Sequence, residues 1–421
     1  MNRSDCPSLF NVGHYQTMFL TIPFVLVRSI ILALLVGSQL YLFLKGDRAL
    51  RRSRLNQQRK RQLRIALAGF FVSILCVYLY LLFRAAPLKH LSPLILYGLI
   101  YPTAIWSFGS VFSFLFLLST DLLGRCTRLI RSRVSRTTQP SAPAFDSSRR
   151  RFMQAGLRAL AATPVMVSGY GALYESNGCR IEEVRLSLDA SRRFDPPLKV
   201  VQVSDIHSGL FMTPAQMRHC AETVQQLQPD LFVLTGDFIS NSVAYLSPCV
   251  KEMARVQARY GSFAVLGNHE HWYAKPEEVF AIFEGGGIPV LQNAHRVLET
   301  DRGPVALVGI DDLRFGLPDL EQALEGLDPK LPRILLSHRP EVFPQAAAHN
   351  IALTLSGHYH GGQIKVSLLG VDFSLAHLLS LYPEGLYRLG HCHLYVNRGL
   401  GTTGTPVRLN APPEITLFHL S

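Results

Sequence analysis

Five short apolar runs in the second half of this 421-residue chain each end in groups that ligate metals. The runs at 198–203, 231–235, 263–266, 334–337 and 351–356 read as buried strands, being brief, rich in Val, Ile, Leu and Phe, and closed by turn residues. They lead in turn to Asp205-Ile206-His207, Gly236-Asp237, Gly267-Asn268-His269-Glu270, His338 and Gly357-His358-Tyr359-His360. Side chains leaving the same ends of neighbouring strands converge on one cleft, where open α/β sheets place their ligands. A single such motif would be a surface histidine or a loop-capping aspartate. Five in succession imply a dinuclear metal site.

The i, i+2 spacing of Asp205 with His207 and of His358 with His360 is not helical. It predicts alternate side chains on one side of an extended exit from a strand. A carboxylate has lone pairs enough to serve two cations and neutralises charge between them, which a neutral imidazole cannot do.

The ordered set D-x-H, G-D, G-N-H-[E/D], H and G-H-x-H resembles the signature of the calcineurin-like metallophosphoesterases, over about residues 198–421. A closer likeness, to a bacterial membrane-anchored branch with phosphodiesterase-like members, lies in the stretch from Gly357 to Gly361-Gly362-Gln363 and in Asn397-Arg398-Gly399-Leu400-Gly401 leading to Pro412-Pro413-Glu414-Ile415. A related branch hydrolyses the pyrophosphate of UDP-diacylglucosamine. The resemblance implies an α/β class fold, a four-layer α/β/β/α sandwich, preceded here by an all-α transmembrane region. It assigns Asp205, His207 and His360 to one metal ion, Asn268, His338 and His358 to a second, and Asp237 as the bridge. It also implies that His269 contacts the scissile phosphate and helps the leaving oxygen gain a proton, with Glu270 placed to accept the other ring proton. Attack would then come from a metal-bridging hydroxide, with two divalent ions stabilising both the entering and the leaving oxygen. Family likeness favours Mn. The nitrogen and oxygen donors without thiolate also fit Fe, Zn or Co. No protein nucleophile is called for, and no G-x-S-x-G elbow ends a strand.

Charge divides the chain. Residues 1–181 carry 23 Lys and Arg against 5 Asp and Glu, whereas 182–421 carry 19 against 25, so the basic character belongs to the first part alone. That part expects a transmembrane region at 1–181, and the catalytic domain follows at 182–421. Residues 65–83 and 91–120 hold no charge at all. A bilayer-crossing helix needs about 20 mostly apolar residues, so spans are expected near 19–44, 63–83 and 93–120. A fourth run near 152–173 contains Arg158 and several polar residues, and reads either as a fourth span or as a helix packed on the soluble domain. Nine basic residues collect at 45–64 and eight at 125–151, which marks those loops as cytoplasmic. Four crossings would leave the catalytic domain outside the cytoplasm, in a multi-pass protein of the inner or plasma membrane; three would leave it inside. Arg149-Arg150-Arg151 before this run reads as a helix-orienting flank, or as an internal twin-arginine export signal. The acidic balance of 182–421 argues against nucleic-acid binding, which needs basic surface.

Seven cysteines without C-x-x-C spacing predict neither an essential disulfide nor a cysteine ligand. The Ser, Thr, Pro and Arg mixture at 127–151 predicts coil, and 182–197 an edge strand. Residues 213–228 and 246–260 read as helices. The strand-like stretches at 304–310, 386–389, 393–397 and 415–420 lack helical partners and suggest a second sheet. Arg339 has two readings, a phosphate contact or a partner for Glu341; Arg398 likewise, a phosphate contact or a structural ion pair. Asp311 and Asp312 read as a turn, and His271, His391 and His393 as surface or strand residues. The apolar stretch 371–382 reads as a packed helix or as a lip that touches bilayer or acyl chain. The expected partners are the lipid bilayer and a phosphoester substrate, a phosphodiester or pyrophosphate in a lipid-linked or cell-envelope molecule. The rival readings are a silent membrane sensor on the same fold, a phosphomonoesterase and a protein phosphatase.

Overall fold

The strand-forming runs pair into two large sheets. The structure, a computed structural model, describes residues 24–83, 92–134, 147–188, 195–368 and 370–421. In chain order the strands are β1 (Arg180–Leu186), β2 (Leu198–Val203), β3 (Leu231–Thr235), β4 (Ser262–Val265), β5 (Ala294–Thr300) and β6 (Gly303–Gly309). There follow β7 (Arg333–Leu336), β8 (Leu353–Ser356), β9 (Val366–Leu368), β10 (Val371–Phe373), β11 (Gly385–Leu389), β12 (Cys392–Val396) and β13 (Glu414–Leu420). One sheet has the order β1-β13-β2-β3-β4, the other β11-β12-β8-β7-β6-β5, and β9 with β10 forms a separate ribbon.

Alternation along each strand builds the layers. Val200, Leu231, Val233, Phe263 and Val265 face Leu307, Ile334, Leu336, Leu353 and Leu355 across the space between the sheets. The opposite face of the first sheet, with Val201, Val203, Phe232 and Leu234, packs under the helices Pro214–Gln226, Leu246–Met253 and Pro276–Gly285. The outer face of the second, with Val308 and Leu335, lies under Leu320, Ala323, Val342 and Ala346. The result is the four-layer α/β/β/α sandwich.

Three expectations are corrected. The stretch at 415–420 is not part of the second sheet: β13 enters the first, parallel to β1 and antiparallel to β2. The expected helix at 246–260 ends at Met253, ahead of a turn-rich passage to β4. The coil expected from 127 begins later, because the helix Tyr101–Val134 continues through the basic stretch; residues 135–146 lie outside the described set.

The chain divides into two units, 1–78 with 110–145 and 79–109 with 146–421. In the first, Lys45 pairs with Asp121 at 2.9 Å, Tyr41 donates to the same carboxylate, and Gln39 donates to Ser110. In the second, Tyr101 meets Phe211 edge to face, with ring centroids 5.4 Å apart. Among the described residues three helices are long and apolar enough to cross a membrane, Ser29–Arg52, Gln57–Tyr80 and Pro93–Ile130. The helix Ser147–Leu173 is not one of them, since Gln154, Arg158, Thr163 and Pro164 interrupt its apolar run. Residues 19–23 of the first expected span lie outside the described set.

Candidate metal centre

The carboxyl ends of β2, β3 and β4 meet those of β7 and β8, and the two sheets are laced together there. Gln202 at the end of β2 donates to the Ser356 carbonyl at 2.9 Å, and His338 Nδ1 to the Thr235 carbonyl at 2.8 Å. That second bond fixes the His338 tautomer and aims Nε2 inward.

Asp237 stands at the centre. Its Oδ1 accepts the backbone N–H of His269 at 2.9 Å, which leaves Oδ2 to face three imidazoles. Oδ2 lies 3.3 Å from His338 Nε2, 3.7 Å from His207 Nε2 and 4.0 Å from His269 Nε2. On one side, Asp205 Oδ1 is 3.3 Å from His360 Nε2, and that nitrogen is 3.0 Å from His207 Nε2. On the other, His338 Nε2 is 3.1 Å from His358 Nδ1. Three groups therefore have ligand atoms mutually within 4.8 Å: Asp205, His207 and His360; His207, Asp237 and His269; Asp237, His338 and His358. Asn268 is buried beside them, its Oδ1 accepting from Arg339 at 3.0 Å. The structure thus gathers all seven expected ligand positions, together with His269, in one cluster.

The way the pairs reach the cluster differs from expectation. Asp205, His207, Asp237, His358 and His360 all have positive φ, between 47° and 77°, so the exits from the strands are kinked turns and not extended. Such φ values are uncommon outside glycine and collect at functional sites. The glycines of the motifs answer to close approach. A Cβ on Gly267 would lie 2.3 Å from Asp237 Oδ1, and one on Gly357 2.2 Å from Asp205 Oδ2.

Electrostatics follow from burial and from this crowding. Burial opposes ionisation of Asp205 and Asp237, but the imidazoles around them hold both well below the usual carboxylate range. Burial, then His269 and His360, lower His207 to about 3. Burial also lowers His338, yet the adjacent Asp237 outweighs it and raises His338 to about 10. His358 is pushed down by burial and by the Arg339 guanidinium. The fit to a cation is plain in the donors themselves. Ring nitrogens of His207 and His360 converge to 3.0 Å, with Asp205 Oδ1 3.3 Å from the second, a buried trio of atoms that can each offer a lone pair to one cation.

Glu270 does something other than expected. The His269 Nδ1–H is taken by the Ser240 carbonyl at 2.8 Å, and not by Glu270. Glu270 instead accepts the backbone N–H groups of Gly267 (2.9 Å), Asp237 (3.0 Å), Phe238 (2.8 Å) and Ile239 (3.3 Å). Burial and the nearby Asp237 carboxylate push its pKa up, while those N–H groups, aimed at both of its oxygens, favour the ionised form. Arg339 pairs with Asp312 (Nε to Oδ2, 2.8 Å), not with Glu341, and Nη1 donates to His358 Nε2 at 2.7 Å. Glu341 receives the Tyr359 hydroxyl. Arg398 takes the structural branch, pairing with Glu182 at 2.5 Å and Glu414 at 2.9 Å. Asp311 is more than a turn residue: it binds His271 Nε2 at 2.7 Å, Gln292 at 2.8 Å and the Leu317 N–H at 2.9 Å, while Asp312 anchors Arg339.

Other residues were given no role by sequence. Thr403 Oγ1 lies 3.1 Å from His207 Nε2 and 3.3 Å from His360 Nε2. Gln363 holds its loop, accepting from Thr403 N at 2.8 Å and donating toward the carbonyls of Thr405 and Val407. Arg408, fully buried, donates to the Ala411, Gly399 and Arg398 carbonyls and lies 3.2 Å from His360 Nδ1. Burial lowers its guanidinium to about 10. Gln363 was legible in the G-H-x-H-G-G-Q run; Thr403 and Arg408 stand in no recognisable motif. Ser204 Oγ donates to Asp205 at 2.6 Å, and its signal was adjacency to the first motif.

Comparison with known proteins agrees with this geometry. The family model described as calcineurin-like phosphoesterase matches residues 198–362. The metallophosphoesterase YkuE of Bacillus subtilis is 34% identical over 280 residues, 65% of this chain and 97% of that one. The phosphodiesterase YaeI of Escherichia coli is 30% identical over 279 residues, 65% of this chain and 99% of that one. A transmembrane protein with metallophosphoesterase domain from Danio rerio is 31% identical over 260 residues, 59% of this chain and 58% of its own length. A nearly full-length relative at this identity, joined to a His and Asp cluster and to three apolar helices, leads to one conclusion: the chain belongs to the calcineurin-like metallophosphoesterases and is a membrane protein that hydrolyses phosphoric esters with divalent metal.

Proposed function

We propose that the chain cleaves a phosphodiester or pyrophosphate bond in a lipid-linked or cell-envelope molecule. The observation that carries the reading is the single oxygen Asp237 Oδ2 facing His207, His338 and His269 at once. In this reading Asp205, His207 and His360 hold one ion, Asn268, His338 and His358 the other, and Asp237 lies between them. Mn is the favoured metal. When bound, such a pair supplies an activated water and neutralises charge on the phosphoryl oxygens. The protein's own part is orientation and proton supply. Ser240 holds His269 by Nδ1, so Nε2 points into the cleft, where a proton carried there can pass to the departing oxygen. Asp312 fixes Arg339 beside His358 and Asn268, within the same cleft.

Tethering by three apolar helices favours substrates found at a membrane surface, and the name of the E. coli relative supports a diester. Beyond its three arginines the helix Ser147–Leu173 reaches about 33 Å at 1.5 Å per residue, which supports a fourth crossing by length and not by apolarity. That crossing would set the catalytic domain outside the cytoplasm of the inner or plasma membrane.

The test compares bis-p-nitrophenyl phosphate with p-nitrophenyl phosphate on Mn-loaded protein. A diester preference of about tenfold or more in kcat/KM is expected; a monoester preference would replace the reading with a phosphomonoesterase. Protease accessibility of residues beyond 182 in intact cells reads the side of the membrane.

A further inference from the structure

The stretch 371–382 is not a packed helix. It forms β10, paired with β9 as a small ribbon, and then a single turn at Ala376–Leu379. Seven large apolar side chains stand in solvent over 16 residues: Val366, Val371, Phe373, Leu375, Leu378, Leu379 and Leu381, with Leu381 85% exposed. Asp372 is the one Asp, Glu, Lys or Arg between 366 and 383, and His377 the one histidine. The flanking charges, Lys365 and Glu384, are tied to each other at 2.5 Å at the base of the ribbon.

This projection is seated on the metal centre. A Cβ on Gly362 would lie 2.1 Å from Ser374 Oγ, so the turn after His360 runs directly under the ribbon. Ser380 donates to Glu341, which also holds the hydroxyl of Tyr359, the residue between His358 and His360. The same turn continues through Gln363 to the loop 403–407 and Arg408. There Gly171, near the end of the helix Ser147–Leu173, presses against the Arg408 carbonyl, with a Cβ position only 2.4 Å away. That helix exposes Leu160, Met166, Tyr170 and Leu173, and Tyr170 stacks on Tyr174 at its end. Tyrosines are enriched at the membrane–water boundary.

We propose that the ribbon of β9 and β10 and the turn Ala376–Leu379 dip into the lipid bilayer beside the cleft, so that the metal centre opens at the membrane surface. Bilayer is the occupant because the exposed set is aliphatic and phenyl, without the Trp, Tyr and Arg that anchor protein–protein interfaces. Bilayer is also the apolar phase this chain already occupies, and Tyr101 in the span Pro93–Ile130 packs directly on Phe211, four residues beyond His207. The proposal does not depend on which phosphoester is cleaved, and its test does not read hydrolysis.

Full-length Leu378→Trp and Leu381→Trp proteins are placed in phosphatidylcholine nanodiscs with and without brominated acyl chains. Emission of the parent protein, which contains Trp106 and Trp272, is subtracted. Bromine should quench the added emission by about half or more, as expected of a group held 5–10 Å inside the headgroup boundary. Added emission that ignores brominated lipid overturns the proposal. Aqueous iodide then separates a ribbon standing in water from one covered by protein, a second copy included. Both sites are exposed, so either variant reports if the other does not fold.

Discussion

Replacing Glu270 by Gln separates two jobs that a carboxylate beside a catalytic histidine can have. In the structure Oε2 receives two backbone N–H groups, from Gly267 and Asp237, and Oε1 receives two more, from Phe238 and Ile239. Gln keeps one acceptor and turns the other into a donor facing two N–H groups that have nowhere else to go. Each buried donor left unsatisfied costs about 1–3 kcal/mol, so the pair costs about 2–6 kcal/mol. The loss falls on the segment that carries Asp237 and on the turn that carries Asn268, so metal retention should fall along with stability. The expected result for Glu270→Gln in detergent is a clearly lowered Tm with less Mn retained after dialysis, measured by thermal melting and by elemental analysis. If the side chain served chiefly to set the His269 tautomer, the variant would keep its Tm and its Mn and lose only turnover. That pattern would refute the cradle argument.

Two further outcomes follow from other contacts. Thr403→Val should weaken Mn binding, because the hydroxyl stands against the metal-facing Nε2 atoms of both His207 and His360, where it adds an oxygen donor to the same cluster, and Thr403→Ser should restore it; unchanged Mn titration midpoints would exclude a role for the hydroxyl there. The His271–Asp311 pair gives a pH dependence. The Asp311 hydrogen bond raises His271 against its partial burial, so its contribution is complete below the unfolded value near 6.5 and fades as pH rises through the folded one. Burial opposes the Asp311 shift, but His271 and its other donors lower it to about 2, so its contribution is present above about 3.9 and fades as pH falls toward 2. His271→Gln should therefore lower Tm more at pH 5.5 than at pH 9, and an equal loss at both would show that charge is not involved.

The parts of the fold legible in sequence were those set by local pattern. β2 and β3 begin and end where the apolar runs do, and the capping box that opens the helix after Thr213 is written in Thr213 and Gln216. Sheet membership of the last strand was not legible, because residues 414–420 pair with 180–186 and 198–202, more than 200 residues away. Nothing local distinguishes that choice from joining β12. The role of Glu270 was closer to the surface. Gly267 caps the short helix Asn268–Tyr273 and Glu270 is its third residue, the position from which an acidic side chain reaches back to the cap N–H. That rule points Glu270 away from the ring of His269. Arg339 with Asp312 had no such signal, since the partners are 27 positions apart on different loops.

The i, i+2 pairs come together by a geometry other than the expected one. Extended exits would have carried Asp205 and His207 along the strand direction; instead both residues turn left-handed, a conformation that costs non-glycine residues about 1–2 kcal/mol each. The backbone of the opposite loop enforces it: Asp205 N–H bonds the Gly236 carbonyl and His207 N–H the Asp237 carbonyl, both at 3.0 Å, while Gly401 N–H takes the Asp205 carbonyl at 2.8 Å. The first motif is thus held to the second, and Gly357 to His338, by main-chain bonds that no side-chain substitution would remove, whereas the third is held to the second through the Asp237 carboxylate. These side chains are consequently aimed by the sheets and loops that carry them. That arrangement places the strain where a cation can repay it, because every kinked residue among Asp205, His207, Asp237, His358 and His360 presents a donor atom to the same cavity.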